Sequence, residues 1–213
     1  MNRIRVQYKP SFIEERKLVA KGYQYTAGID EAGRGALAGP VVAAAVILPH
    51  RMKTPWLNQV RDSKLLNPSK REHLFGYIKD VATSIGIGII SHQIIDAQNI
   101  IKATHLAMIK AISQLSPEAD SLLIDYIYLP GTSLPQWGII NGDGLCFSIA
   151  CASIIAKVTR DHLMKEMDTV YPGYGMAKHK GYCTNEHISN LKRLGPSPIH
   201  RCSFRPVSEM LLE

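Results

Sequence analysis

The chain reads as an α/β protein with a mixed sheet and helices on its faces. Three observations predict this. Short apolar segments near the start, Tyr25–Ile29, Val41–Leu48 and Ser84–Ile90, are bounded by glycine, proline or polar residues, as strands are. The first two are separated only by a glycine loop, which suits antiparallel neighbours. Later apolar segments alternate with long helical patterns, which implies parallel crossovers.

Taken in order, Ser11 and Glu14 have capping-box spacing, so a helix is expected from Ser11 to a stop at Gly22. Tyr25–Ile29 is the first strand. Val41–Leu48 is the second, too uniformly apolar for an exposed edge. Residues 52–67 are polar and irregular. Pro68–Ala82 is a helix with Asn67 as its N-cap, and Ser84–Ile90 alternates as a strand. A short helix over His92–Ala97 precedes a longer one over Asn99–Leu115, with Ile101, Leu106, Ile109 and Ile112 as its apolar positions. Ser121–Ile124 is a strand ending on Asp125. Tyr128–Trp137 is expected to be loop, Gly138–Asn141 a short strand, and Ser148–Val170 the longest helix. The tail is loop through Lys180, then a helix capped by Thr184 and ending at Leu194, then a proline-rich end.

A chain of 213 residues suits one domain, 1–213, with a basic C-terminal extension over about 171–213. The longest apolar run is too short to span a bilayer, and Met1–Pro10 has no signal-peptide character, so a cytoplasmic protein is expected. Net charge is +7, with the excess toward both ends, as suits a polyanionic partner. Four cysteines without a CxxC pair read as reduced thiols. His179, Cys183, His187, His200 and Cys202 could ligate zinc by residue type. Their spacing matches no standard zinc pattern, and Gly181 interrupts any helix there.

The chemistry concentrates in four places. Asp30 and Glu31 close the first strand. Adjacent residues on a regular strand point to opposite faces, so both reach one site only where the strand ends or bends, and Gly33 and Gly35 follow to supply that bend. The loop Gly33-Arg34-Gly35 precedes a strand rather than a helix. A dinucleotide fingerprint is therefore excluded, and a cationic phosphate-holding loop remains. Asp125 ends an apolar strand. Ser153, Lys157 and Asp161, four apart, make a polar stripe on an otherwise apolar helix; the alternative is an intrahelical Lys157–Asp161 pair facing water. Four carboxylates of this kind suit Mg²⁺ or Mn²⁺ better than zinc, and two such ions would serve phosphodiester hydrolysis.

GIDEAGRGALAGPVVAAAVIL, DSKLL with KRE (Asp62–Leu66, Lys70–Glu72), LLID, SIACASIIAKVTRD and YPGYGMAKHKGY together resemble bacterial ribonuclease HII, the type 2 ribonuclease H, from Tyr25 to Arg205. The resemblance implies a ribonuclease H-like mixed five-stranded sheet with a helical C-terminal extension. It assigns Asp30, Glu31 and Asp125 as metal-binding carboxylates and Asp161 as the fourth active-site acid. Gly33, Arg34 and Gly35 match the loop that reads the 2′-hydroxyl at an RNA–DNA junction. Tyr182 matches a tyrosine stacking on the deoxyribose 3′ of the ribonucleotide. Lys64, Ser153 and Lys157 are expected to contact phosphates or support the acids. Two positions depart from the family pattern. Ala36 stands where proline is usual, which would loosen the loop. Tyr126 stands where glycine is usual, which would shift the metal site or add a stacking surface.

The implied activity is metal-dependent hydrolysis of the RNA strand of RNA–DNA hybrids and cleavage 5′ of single ribonucleotides in duplex DNA, leaving 3′-hydroxyl and 5′-phosphate ends. A monomer is expected, without membrane contact; a sliding-clamp contact is not readable from the residues. The rivals are a resolvase- or transposase-like nuclease on a similar sheet and a non-catalytic nucleic-acid-binding module. The GRG loop and Tyr182 count against the first, and the four acids against the second.

Overall fold

The computed structural model describes residues 9–49, 52, 54–61 and 63–212. The basic run Met1–Tyr8 and Asp62 of the DSKLL block lie outside the described residues. Five strands, β1 (Thr26–Ala32), β2 (Val41–Ile47), β3 (Ser84–Ile90), β4 (Ser121–Asp125) and β5 (Gln136–Ile139), form one sheet in the order β3-β2-β1-β4-β5. The first three pair antiparallel, and β4 and β5 join parallel to β1 and to each other. The expected mixed sheet is therefore present, with its meander and its crossovers in the expected places.

The helices are α1 (Ile13–Ala20), α2 (Pro68–Val81), α3 (His92–Gln98), α4 (Ile100–Ile112), α5 (Gly142–Leu145), α6 (Phe147–Val170), α7 (Met176–His179), α8 (Asn185–Leu194) and α9 (Val207–Met210). Helix α6 and α2 cover one face of the sheet, and α3 and α4 the other. β2 is buried along its whole length because it alternates between these two cores: Ala44 and Val46 face α6, while Val41, Ala43, Ala45 and Ile47 face α4. The tail helices pack with Leu37, Ala38 and Met164 in a third cluster. Among the described residues no helix is long and apolar enough to cross a membrane.

Four sequence expectations need correction. The N-cap of α1 is Phe12, one residue later than expected and with no side-chain cap bond of its own, while Ser11 Oγ accepts a long bond from the Ile13 N–H (3.4 Å). The backbone of Ser11 also bridges to the start of α6, its N–H donating to the Leu145 carbonyl (2.9 Å) and its carbonyl accepting from Phe147 (3.2 Å). β1 does not stop at Ile29 but runs through both acids to Ala32, paired with β2 at Asp30↔Ala44 and Glu31↔Ala43. The apolar stripe of α4 is also displaced. Ala103, Ala107, Met108 and Ala111 face the sheet, while Ile101 and Leu106 are exposed. The cause is close approach: β-carbons on Gly86 and Gly88 would lie within 2 Å of the Ala111 and Ala107 carbonyl oxygens, so only small residues fit the contact face. Finally, β5 begins at Gln136, so Trp137 is in a strand rather than a loop.

Candidate active site

Strand alternation decides the geometry of the acids. Gly28 faces α6 so closely that a β-carbon would fall 2.1 Å from the Ser148 carbonyl carbon. Two residues on, Asp30 faces the same helix, and its carboxylate takes a hydrogen bond from Ser153. β4 runs parallel beside β1 with Ile29 opposite Ile124, so Asp125 ends its strand next to Asp30. Glu31, the next residue along β1, pairs with Arg34 at 3.2 Å and lines the same cleft as Asp30. It remains near enough to repel both Asp30 and Asp125.

Oxygens of Asp30, Asp125 and Asp143 lie within 4.8 Å of one another. Asp143 was not among the candidate residues. It sits on the one-turn helix α5, whose Gly142 N–H donates to Asp125 Oδ1 at 2.7 Å, so Asp125 fixes the segment that carries Asp143. The only signal in the sequence was an acid between two glycines just before the long helix. Lys64 Nζ approaches Asp143 Oδ2 at 3.6 Å. Burial, aided by Glu31 and Asp125, pushes the Asp30 carboxyl well above the usual carboxylate range. Burial also raises Asp125, against a lowering hydrogen bond from Gly142. Asp30 and Asp125, whose carboxyls both resist ionisation, form with the adjacent Asp143 oxygen a donor set for a hard divalent cation, whose charge would remove the repulsion.

Asp161 stands apart from that trio. It bonds Lys157 Nζ at 2.6 Å and lies 3.7 Å from Arg71, and both partners also line the cleft beside the acids. The intrahelical pair given as the alternative thus forms, but it is half-enclosed beside the cleft and joined by Arg71. Arg71 also donates to the carbonyls of Ser63 (3.0 Å) and Leu66, holding the Ser63–Leu66 turn against the site. Ser63 Oγ in turn meets Ser153 Oγ at 2.9 Å. Arg71 and Ser63 were missed by sequence reasoning, though both lie in the blocks that carried the resemblance.

The cleft is lined by Asp30, Glu31, Asp125, Gly33, Arg34, Gly35, Lys64, Ser153, Lys157 and Tyr182, so the expected site residues other than Asp161 share one concavity. Asp161 lines the adjoining depression, which shares Arg71, Lys157 and Tyr182. The ring of Tyr182 lies over Lys157 Nζ (5.4 Å to the centroid) and the Arg160 guanidinium (5.2 Å).

Two buried arginines shape the glycine loop. Arg160 donates to the carbonyls of Pro40 (2.9 Å), Ala38 (3.0 Å) and Lys180 (2.8 Å). Arg201 donates to those of Gly33 (2.7 Å), Arg34 (2.8 Å), Gly39 (3.0 Å) and Pro40 (3.2 Å). Gly33 is required where Arg160 passes: its φ is +95°, and a β-carbon would meet Arg160 Nε at 2.0 Å. The carbonyl and N–H of a trans peptide point in opposite directions. With the Gly33 and Arg34 carbonyls turned onto Arg201, the N–H groups of Arg34 and Gly35 are turned away from it. Ala36 is itself tied into this loop. It is fully buried, donates its N–H to Gly33 (3.4 Å), a bond that proline could not make, and bridges to Tyr182.

The histidines expected as possible zinc ligands are instead partnered with one another and with the backbone. Ser197 N–H can only donate, so His200 Nδ1 accepts (2.9 Å) and its Nε2–H donates to His187 Nε2 (3.0 Å). His187 Nδ1–H then donates to the Tyr182 carbonyl at 3.0 Å. His179 donates from Nε2 to Tyr174 (2.8 Å) and accepts from Gly181 (3.2 Å). Cys183 and Cys202 are exposed. The cluster is a hydrogen-bonded support under Tyr182.

Comparison with known proteins agrees with this geometry. The family described as Ribonuclease HII matches residues 27–207. Ribonuclease HII of Dehalococcoides mccartyi strain BAV1 is 52% identical over 202 residues, covering 95% of each chain. Among solved structures, the PCNA:RNase HII complex from Archaeoglobus fulgidus aligns with a TM-score of 0.69 at 24% identity, covering 85% of this chain and 96% of that one. Bst-RNase HIII in complex with Mn²⁺ aligns with a TM-score of 0.65 at 16% identity, over 88% of this chain and 69% of that one. At these identities the structural likeness concerns the fold, while the family match and the relative cover nearly the whole sequence. The chain belongs to the ribonuclease HII family, ribonuclease H enzymes that cleave the RNA of RNA–DNA hybrids.

Proposed function

We propose that this chain is a divalent-metal-dependent endonuclease that, besides cutting the RNA strand of hybrids, cleaves 5′ of single ribonucleotides embedded in duplex DNA and leaves 3′-hydroxyl and 5′-phosphate ends. The carrying observation is the convergence of Asp30, Asp125 and Asp143 within 4.8 Å, beside a glycine loop whose Arg34 and Gly35 amides are turned away from Arg201. The chain acts as one catalytic domain and as a monomer in the cytoplasm.

Asp30, Asp125 and Asp143 hold Mg²⁺ or Mn²⁺, with Glu31 beside them; the Mn²⁺ complex of the RNase HIII relative supports including manganese. Bound there, such an ion supplies Lewis-acid activation of water and charge neutralisation at phosphorus. The protein supplies the rest. Ser153 and the Gly142 N–H fix the orientation of Asp30 and Asp125. The amides of Arg34 and Gly35, with the Arg34 side chain, hold the ribonucleotide through its 2′-hydroxyl and phosphate. Tyr182, backed by two cations, stacks on the neighbouring sugar. Lys64 and Lys157 contact phosphates, and Asp161, anchored by Lys157 and Arg71, orders the side of the cleft toward α2.

The test is a cleavage assay with Mg²⁺ and then Mn²⁺ on three duplexes: a hybrid, DNA with one ribonucleotide, and plain DNA. The first two are cut and the third is spared. Cleavage of plain DNA at a similar rate would favour a resolvase-like nuclease, and binding without cleavage a non-catalytic module. Asp30→Asn and Asp125→Asn abolish turnover but keep substrate binding; normal turnover by either sinks the metal assignment. Asp143→Asn weakens Mn²⁺ binding by roughly tenfold or more, read by calorimetry. Arg34→Ala lowers cleavage of the single-ribonucleotide duplex, and equal activity on every substrate would remove the loop's reading role.

A further inference from the structure

Large apolar side chains surface at the rim of the acidic centre without helping to hold it. Tyr126 follows Asp125 directly and is 69% exposed; Tyr128 is 73% exposed. Ile140, 66% exposed, leaves the next strand at the same level, because Asp125 pairs with Ile139 and the Tyr126 N–H donates to the Ile139 carbonyl at 2.9 Å. The three side chains thus emerge from adjacent connections, one continuing from Asp125 and the other leading into the helix of Asp143.

Tyr126 holds its place under strain. Its φ is +64°, and it is the central residue of a turn closed by Ile127 N–H to the Asp125 carbonyl at 2.8 Å. A γ-turn with positive φ is rare even among turns, and a tyrosine in the left-handed region is disfavoured where glycine would serve. The turn is seated on β5: a β-carbon on Gly138 would meet the Ile127 and Tyr126 carbonyl oxygens at 3.0 and 3.3 Å. Strain of this sort beside a catalytic group points toward a use for the side chain that bears it. Consecutive Cα atoms are only about 3.8 Å apart. A strand with its phosphate at Asp125 therefore passes within reach of the Tyr126 ring.

We propose that Tyr126, flanked by Tyr128 and Ile140, is a second stacking surface for the nucleic-acid substrate, on the β4–β5 side of the acids and opposite Tyr182. This rests on the nuclease reading above. The ring packs on the sugar–base face of the strand leaving the centre, a contact indifferent to sequence because every base offers a π-face.

The test compares wild type with Tyr126→Gly and Tyr126→Phe by three measurements: fluorescence-anisotropy Kd for a labelled RNA–DNA hybrid in EDTA, KM and kcat for the same hybrid in Mg²⁺, and melting temperature. Tyr126→Gly raises Kd and KM about five- to tenfold, leaves kcat within about twofold, and raises the melting temperature by about 2–4 °C. Tyr126→Phe keeps the wild-type Kd and gains no stability. An unchanged Kd for Tyr126→Gly overturns the stacking surface, as does a loss in kcat at constant KM, which would mean that Tyr126 acts only through Asp125. Failure of the wild type to cut the hybrid overturns the nuclease reading instead, and the metal-free Kd values still decide the role of Tyr126.

Discussion

Arg201 is entirely buried, and its guanidinium hydrogen-bonds peptide carbonyls rather than a carboxylate. Burial, and then the neighbouring Arg160, pushes its guanidinium down to about 9. Peptide carbonyls of the glycine loop offset that cost, each presenting the negative end of its dipole. The fork is essential to this: its nitrogens reach Gly33, Arg34, Gly39 and Pro40 together. A lysine is a point donor and cannot span them. Arg201→Lys is therefore expected to cost about 3 kcal/mol of stability, read from urea denaturation. It also lowers cleavage by releasing the loop. A denaturation midpoint within experimental error of wild type would mean that the loop holds its shape without the fork.

At the scale of elements, the site depends on how closely α6 lies on β1. Asp30 reaches Ser153 because nothing separates the helix backbone from Gly28. A methyl there meets helix backbone rather than a flexible side chain, so the helix must move. Gly28→Ala is expected to lose about 2–3 kcal/mol by denaturant unfolding and to weaken Mn²⁺ binding through the displaced Ser153; unchanged values in both would disprove the contact. Close approach of this kind also marks what the sequence could tell. The strand pattern, the cap at Asn67 and the polar stripe of α6 were legible because each is a local signal. The face of α4 was not: Ile101 and Leu106 carried the apolar pattern, but Gly86 and Gly88 on a distant strand select alanines for the contact. Asp30 and Asp125 could be picked out as acids closing short apolar segments, although β1 itself continues to Ala32. Asp143 could not, since a surface-type GDG turn joins the acidic cluster through the distant Asp125–Gly142 bond.

Across the whole molecule, the C-terminal extension serves as the floor of the glycine loop. Leu37 N–H donates to Gly181, Gly39 N–H to Ile199, and Arg201 N–H to Leu37, so residues 37–39 lie between two tail segments. Beneath them His200 and His187 form their directed chain to the Tyr182 carbonyl, and that chain works only with both rings neutral. The neighbours make protonation costly: Ser197 N–H already points at His200 Nδ1, His179 stacks on His187 at 4.2 Å, and Tyr174 packs on His200. Burial, then repulsion from His187, holds His200 down to about 4, against 6.5 for the free side chain, and His187 is lowered too, first by burial. Between those two pH values the unfolded chain binds a proton that the folded chain refuses. Stability from this source is therefore complete above about pH 6.5 and falls as pH drops toward 4, by an amount on the order of 3 kcal/mol for His200. Buried Glu15 and Asp30 and half-buried Asp125, raised in the fold, run the other way: the folded state holds their protons more tightly, and acid favours it. The net curve is thus a competition, and the histidine share appears as a difference. His200→Gln keeps an amide donor and acceptor but cannot titrate. Its deficit against wild type in unfolding free energy should be largest near pH 7 and shrink toward pH 4.5. A deficit constant across that range would mean that the histidine chain is not held neutral and that the floor under Tyr182 is indifferent to acid.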